Sequence, residues 1–215
     1  MAIDSKVLDI RNLTESTYIL RLERIALQFK AGQYLVLQAG GHQRAREYSI
    51  YSPEKAPYID LLIREVENGD ISRELRHLKI GSTLAIKGIF GFFVLRDQPA
   101  HTNHYTFLAT GTGISPFHSI IQSNPGLHFD LIHGVRYECE AYDAADYPAD
   151  CYHLCTSCKT GENFHGHVTQ YLQEKGIRKD SVYYLCGNSA MIHEVTDLLE
   201  QNGIPLENIR TEVFF

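Results

Sequence analysis

The feature that most constrains this 215-residue chain is a change of pattern at Asp97-Gln98-Pro99. Before it, short runs rich in β-branched and aromatic residues (18–22, 34–38, 48–51, 59–64, 83–87 and 92–95) alternate with turn signals such as Ala31-Gly32, Gly40-Gly41, Ser52-Pro53, Asn68-Gly69 and Gly88. With one brief helix over 71–78, they predict a small all-β antiparallel barrel. After it, apolar strands alternate with helices: HYTFLAT, a helix from Pro116, FDLIHGV, YHLCTS, a helix over 168–175, VYYLCG, a helix over 190–201 and a last strand over 209–215. That is the grammar of an α/β parallel sheet with crossover helices. Two domains, 1–97 and 98–215, are the simplest account.

Charge narrows the function. The chain carries 20 Lys+Arg against 26 Asp+Glu, a net of −6, and has no basic run, which argues against a nucleic-acid binder. The halves differ: residues 1–97 hold 14 basic and 12 acidic side chains, the remainder 6 and 14. The first half suits an acidic partner, whereas the second, at −8, is an unusual place to hold extra phosphates. No run reaches the roughly 20 apolar residues of a membrane span. The start, MAIDSKVLDI, lacks a secretory signal's basic and apolar stretches, so a cytoplasmic protein is expected. Cys151, Cys155 and Cys158 have the spacing of iron–sulfur ligands, but YHLCTSC reads as a strand, in which Cys155 and Cys158 point to opposite faces. Free thiols and no metal are expected.

Two glycine turns carry the clearest local chemistry. ATGTGISP, residues 109–116, follows a hydrophobic strand and opens a helix; Gly111 and Gly113 allow close backbone approach, Ser115 can cap and Pro116 suits the first helical position. Such a helix start offers unpaired N–H groups to a phosphate or a nucleotide edge, though it also serves as a plain tight turn. CGNSAM, residues 186–191, repeats the arrangement, with Asn188 or Ser189 as cap. Both turns would lie at the carboxyl edge of one parallel sheet, where such sheets bind ligands, which points to a dinucleotide. In the first half, Gly69-Asp70-Ile71-Ser72 opens the only helix, as an anion site or with Asp70 as a simple N-cap.

Arg46-Glu47-Tyr48-Ser49 resembles the Arg-x-Tyr-Ser signature of the ferredoxin–NADP reductase family, and FKAGQY before it is also typical. NGDIS, GFFVL, GTGISP, HGVR, CGN and a terminal EVFF follow in the family's order along nearly the whole chain, with GFFVL and LIHGVR closest to small bacterial members. The resemblance implies a flavin enzyme holding FAD, using NADPH or NADH, and passing electrons to a separate carrier, a ferredoxin or an acidic flavodoxin-like protein. It implies that Arg46 neutralises the FAD pyrophosphate, as a guanidinium fork matches phosphate oxygens. Glu47 lies in the same cofactor-binding strand, Tyr48 against the isoalloxazine, and Ser49 reaches flavin N5. Leu62, Ile63 and Arg64 would border the flavin through backbone groups, Gly69, Asp70, Ile71 and Ser72 would hold the pyrophosphate, and Thr112 would touch FAD across the domain cleft.

On the nicotinamide side, the resemblance places Gly111, Gly113, Cys186 and Gly187 around the nicotinamide and Arg136 near the adenosine phosphate. Glu212 matches a buried carboxylate that lines the hydride-transfer site with Ser49 and Cys186. Phe214 would stack on the isoalloxazine opposite Tyr48, with Phe215 continuing past it. Read alone, Ser49 also fits a strand hydroxyl, Cys186 a packed thiol, Glu212 a surface carboxylate and Phe214 a core residue. Two departures stand out. Relatives that prefer NADPH carry Ser-Arg and Gly-Arg-Val where this chain has Ser157-Cys158-Lys159 and Gly166-His167-Val168. Neither Lys159 nor His167 supplies a planar bidentate clamp. Alternatives to the carrier reductase are the reductase component of an oxygenase, a free-flavin reductase, or a non-catalytic electron-transfer or binding module keeping the fold.

Overall fold

The computed structural model describes residues 2–38, 45–66, 70–96, 104–158, 161 and 163–214, and divides into two compact units. The first comprises Met1–Leu95 with Ser115–Asn124. Its strands are β1 (Ile3–Asn12), β2 (Thr17–Glu23), β3 (Tyr34–Gln38), β4 (Ala45–Ser49), β5 (Tyr58–Arg64) and β6 (Thr83–Phe90), with helix α1 (Asp70–Arg76) between the last two. They form one antiparallel sheet in the order β4-β3-β6-β1-β2-β5, and a bridge between Ile50 and Leu61 joins its two ends. Alternation explains the core: in β3, Leu35 and Leu37 are fully buried while Tyr34, Val36 and Gln38 are half-buried. Each such buried leucine stabilises the fold by about 1.5–3 kcal/mol.

The sequence reading and the structure differ in this unit: the strand expected at 48–51 runs Ala45–Ser49, the helix expected at 71–78 runs Asp70–Arg76, and the helix from Pro116, expected in the second domain, packs in the first unit. β1 was not among the expected strands, because only Ser5 and Val7 of IDSKVLDIRN are buried and a register shift between Val7 and Asp9 blurs the alternation. Residues 92–95, expected as a strand, join no ladder: β6 stops at Phe90, and Gly91 at φ 103° turns the chain away. Helix α1 is short, so tertiary contacts hold it. Ile71 and Leu75 enter the core, Tyr18 Oη donates to the Ser72 carbonyl at 2.5 Å, and Arg76 binds Asn12, the Thr14 and Glu15 carbonyls and Glu65. Arg76 and Arg73 together pull the Glu65 pKa down. Helix α2 (Ser115–Ser123) packs in this unit: His118 stacks on Tyr51 at 3.8 Å, its Nδ1 donates to the Tyr51 carbonyl, and Ser119 Oγ donates to the Ser52 carbonyl.

The second unit, Arg96–Ile114 with Pro125–Phe215, is a parallel sheet. Its strands are β7 (His104–Thr110), β8 (Phe129–Val135), β9 (Tyr152–Thr156), the two-residue β10 (Phe164–His165), β11 (Ser181–Gly187) and β12 (Ile209–Val213), in the order β10-β9-β8-β7-β11-β12. β11 is buried along its whole length, as its unbroken apolar run requires. Helices α3 (Val168–Lys175) and α4 (Ser189–Gln201) lie in the connections. β9 ends at Thr156, so Cys155 is a buried strand residue and Cys158 lies beyond the strand. Among the described residues no helix is long and apolar enough to cross a membrane, and no group of three or more His, Cys, Asp or Glu is arranged to hold a metal.

Candidate functional site

In the first unit the motif Arg46-Glu47-Tyr48-Ser49 is strand β4, paired to β3 with Leu37 opposite Arg46, Leu35 opposite Tyr48 and Tyr34 opposite Ser49. Tyr48 packs against the barrel core, and burial pushes its phenol up to about 12. Ser49, on the other face, is 7% exposed. Arg46 and Glu47 are exposed, and the one hydrogen bond seen for Arg46 among the described residues is to the Ala45 carbonyl at 3.3 Å. Engaged with no carboxylate there, that guanidinium fits a phosphate. Leu62 and Ile63 are buried in β5, and Arg64 is exposed at its end. Ile71 and Ser72 are buried at the start of α1, where Ser72 Oγ accepts from Val66 N at 3.2 Å. Asp70 opens that helix; Gly69 lies outside the described residues.

In the second unit the carboxyl ends of β7 and β11 meet. β7 leads into a 3₁₀ turn, Gly111–Ile114, which holds Thr112 half-buried. Gly113 must be glycine: a Cβ there would lie 2.4 Å from the Cys186 carbonyl oxygen. Gly187, at φ 145°, is as tightly held, since its Cβ would fall 2.0 Å from Thr110 Oγ1. The same hydroxyl accepts from Asn188 N at 3.0 Å and Asn188 Nδ2 at 3.2 Å, and Asn188 Oδ1 caps α4 by accepting from Met191 N at 2.8 Å. A Cβ at Gly111, by contrast, would meet nothing within 4 Å, so the turn's backbone faces open space at the edge where parallel sheets bind ligands. That cradle fits a nucleotide.

Cys186 and Glu212 are direct partners across β11 and β12. Burial first and the Glu212 charge second raise the Cys186 pKa well above that of an ordinary thiol, so it is a neutral thiol at neutral pH. Phe214 follows β12 and its N–H donates to the Gly187 carbonyl at 2.8 Å; Phe215 lies outside the described residues. Arg136 is exposed past the end of β8, and its N–H and that of Tyr137 donate to the buried Glu140 carboxylate at 2.9 and 3.0 Å. His167 is the exposed N-cap of α3, and Lys159 lies outside the described residues.

Sequence reasoning missed two groups beside the glycine turn, His133 and Tyr152. His133 is fully buried in β8, where burial pushes its pKa down to about 4. A histidine inside the apolar run FDLIHGV was the available signal.

Comparison with known proteins gives a family model on each half: an oxidoreductase FAD-binding domain over residues 4–94 and an oxidoreductase NAD-binding domain over residues 107–197. The chain is 31% identical to the toluate 1,2-dioxygenase electron transfer component of Pseudomonas putida, over 96% of this chain and 66% of that protein. It is 28% identical to the flavodoxin/ferredoxin–NADP reductase of Buchnera aphidicola, over 97% of this chain and 94% of that one. The fold is that of a ferredoxin NADP+ reductase from Neisseria gonorrhoeae solved with bound FAD and NADP, with a TM-score of 0.90 and 21% identity over 100% and 99% of the two chains.

Proposed function

The chain belongs to the ferredoxin–NADP reductase family, and on that premise we propose that it carries electrons between NAD(P)H and a separate one-electron carrier by way of FAD. The observation that supports this most is that each unit carries a feature that fits a nucleotide: an exposed Arg46 guanidinium on β4, which among the described residues meets no carboxylate, and an open glycine turn at the end of β7. Bound FAD would supply the exchange between two-electron hydride and single electrons, which no amino-acid side chain offers. The chain's part is to bind and to orient. Arg46 offsets pyrophosphate charge, helped by the turn of Gly69, Asp70, Ile71 and Ser72, while Tyr48, Ser49 and the backbone of Leu62, Ile63 and Arg64 hold the flavin. Gly111, Gly113 and Gly187 bring backbone against the nicotinamide, with Thr112 and Phe214 toward the flavin and Arg136 toward the adenosine end.

Ser49, Cys186 and Glu212 serve the hydride step. Cys186, held neutral, acts as a dry wall rather than as a nucleophile. The carrier is a ferredoxin or an acidic flavodoxin-like protein, met by the first half of the chain, whose balance is +2. All five cysteines are free, in keeping with a cytoplasmic setting. One alternative is favoured by a specific likeness: the dioxygenase electron transfer component supports reading the chain as an oxygenase reductase. Side-by-side rates of reduction of a ferredoxin, a flavodoxin and free FMN test the proposal. Turnover of free FMN alone would sink it.

A further inference from the structure

Gly111 has no side chain, so the shape of its turn depends on what grips the backbone. One grip comes from the neighbouring strand. His133 Nε2 lies 2.9 Å from the Gly111 carbonyl oxygen, and His133 Nδ1 lies 2.9 Å from the Tyr152 hydroxyl. A carbonyl oxygen can only accept, so Nε2 carries the proton. The neutral ring then offers Nδ1 as an acceptor, and Tyr152 donates to it. The three residues form a diagonal across β7, β8 and β9: Ala109 stands opposite His133 and His133 opposite Leu154, so Gly111 and Tyr152 are each two positions off that register.

The surroundings make the grip hard to replace. His133 is fully buried, so water does not compete for either hydrogen bond. The rings of Tyr142 and Tyr152 stand 5.9 and 6.1 Å from it, and Tyr152 itself stacks on Tyr147 at 5.1 Å. Removing the imidazole would take this hydrogen bond from the Gly111 carbonyl at the very turn that faces open space.

We propose that His133 is a positioning residue for the nicotinamide coenzyme: it holds the Gly111 carbonyl, and through it the glycine turn, in the shape that admits the coenzyme, while Tyr152 fixes its tautomer. This rests on reading Gly111–Ile114 as the coenzyme turn.

The test uses the full chain loaded with FAD and the variants His133→Leu, His133→Gln and Tyr152→Phe. The readouts are calorimetric Kd for NADP+ and NAD+, KM and kcat with ferricyanide as acceptor, flavin content and thermal midpoint. His133→Leu is expected to keep its flavin and to raise Kd and KM about tenfold, with a far smaller change in kcat. His133→Gln, whose amide N–H can reach the Gly111 carbonyl, is expected to recover Kd to within about threefold of the wild type, even if its melting point stays low. A packing role alone would lower both melting points and leave Kd unchanged, and that result overturns the proposal. If His133→Leu does not fold, Tyr152→Phe decides, since it keeps the ring and loses one hydroxyl. About a threefold weaker Kd supports the relay, and an unchanged Kd overturns it. Failure of the wild type to bind either coenzyme would overturn the functional reading and this proposal with it. Wild-type binding with unaltered variants overturns this proposal alone.

Discussion

A fully buried imidazole links stability to pH. The unfolded chain protonates His133 near the ordinary histidine value of 6.5, whereas burial keeps the folded form neutral down to about 4. The unfolded state therefore binds more protons between those values. The stability tied to this group is whole above pH 6.5 and falls as pH drops toward 4, by about 3 kcal/mol over the full interval. His104, also lowered by burial, slopes the same way, so the comparison with His133→Gln isolates the His133 share. Urea unfolding at pH 7.5 and 4.5 is expected to show a smaller loss for the variant; equal losses would contradict the assignment. The glycines make a second contrast. Gly113→Ala drives a Cβ against the Cys186 backbone, which cannot swing aside, and is expected to cost about 1–3 kcal/mol. Gly111→Ala has free space and pays only for its φ of 53°, about 1 kcal/mol. Thermal melts rank the two. Ser49→Ala and Glu212→Ala are expected to keep FAD yet slow its reduction in stopped flow, because an interaction used in the transition state lowers the rate when removed. Unchanged rates in both variants would dismiss the role proposed for them.

At the scale of elements, what could be read from sequence depended on local signal. β7 and β11 were legible because apolar runs end in glycine turns. β1 was not, since its charged residues face solvent along most of its length. Residues 92–95 misled because aromatic content resembles a strand, while the positive φ of Gly91 that breaks it is a matter of geometry. The site divides the same way. Arg46, Tyr48, Ser49 and the two glycine turns stood out as motifs, each within a few residues of chain. The contact of Gly111 with His133 and of His133 with Tyr152 spans 22 and 19 residues and exists only through strand register, which local pattern does not encode. The chain's end belongs to this scale too. Phe214 is tied to Gly187 by its backbone. On the proposal that its ring covers the flavin, deleting Phe214 and Phe215 is expected to free that face for the nicotinamide. The flavin spectrum would shift and oxidised coenzyme would bind more tightly, by an amount in line with an aromatic stack of about 0.5–1.5 kcal/mol. An unaltered spectrum and affinity in the truncated protein would leave Phe214 a packing residue.

For the molecule as a whole, charge and coenzyme choice follow from the asymmetry of the two halves. The second half, at −8, has Cys158-Lys159 and His167 where the family resemblance leads one to expect arginines for NADPH. Each charge-assisted phosphate contact is worth roughly 1.5–3 kcal/mol, so a preference for NADPH below about tenfold is expected from the two values of kcat/KM. A hundredfold preference would mean that Arg136, Lys159 or His167 forms an effective clamp. Reduction of an acidic carrier is expected to slow as salt rises, since exposed charges are screened over about 8–10 Å. The most direct test of the central claim is anaerobic stopped flow of the protein as purified, mixed with NADH or NADPH and then with oxidised ferredoxin, following the flavin and ferredoxin bands together. Coenzyme is expected to bleach the flavin and the colour to return as ferredoxin is reduced, two ferredoxins for each coenzyme oxidised. Flavin that bleaches but never passes electrons to ferredoxin or flavodoxin, or a protein that holds no flavin, would contradict it.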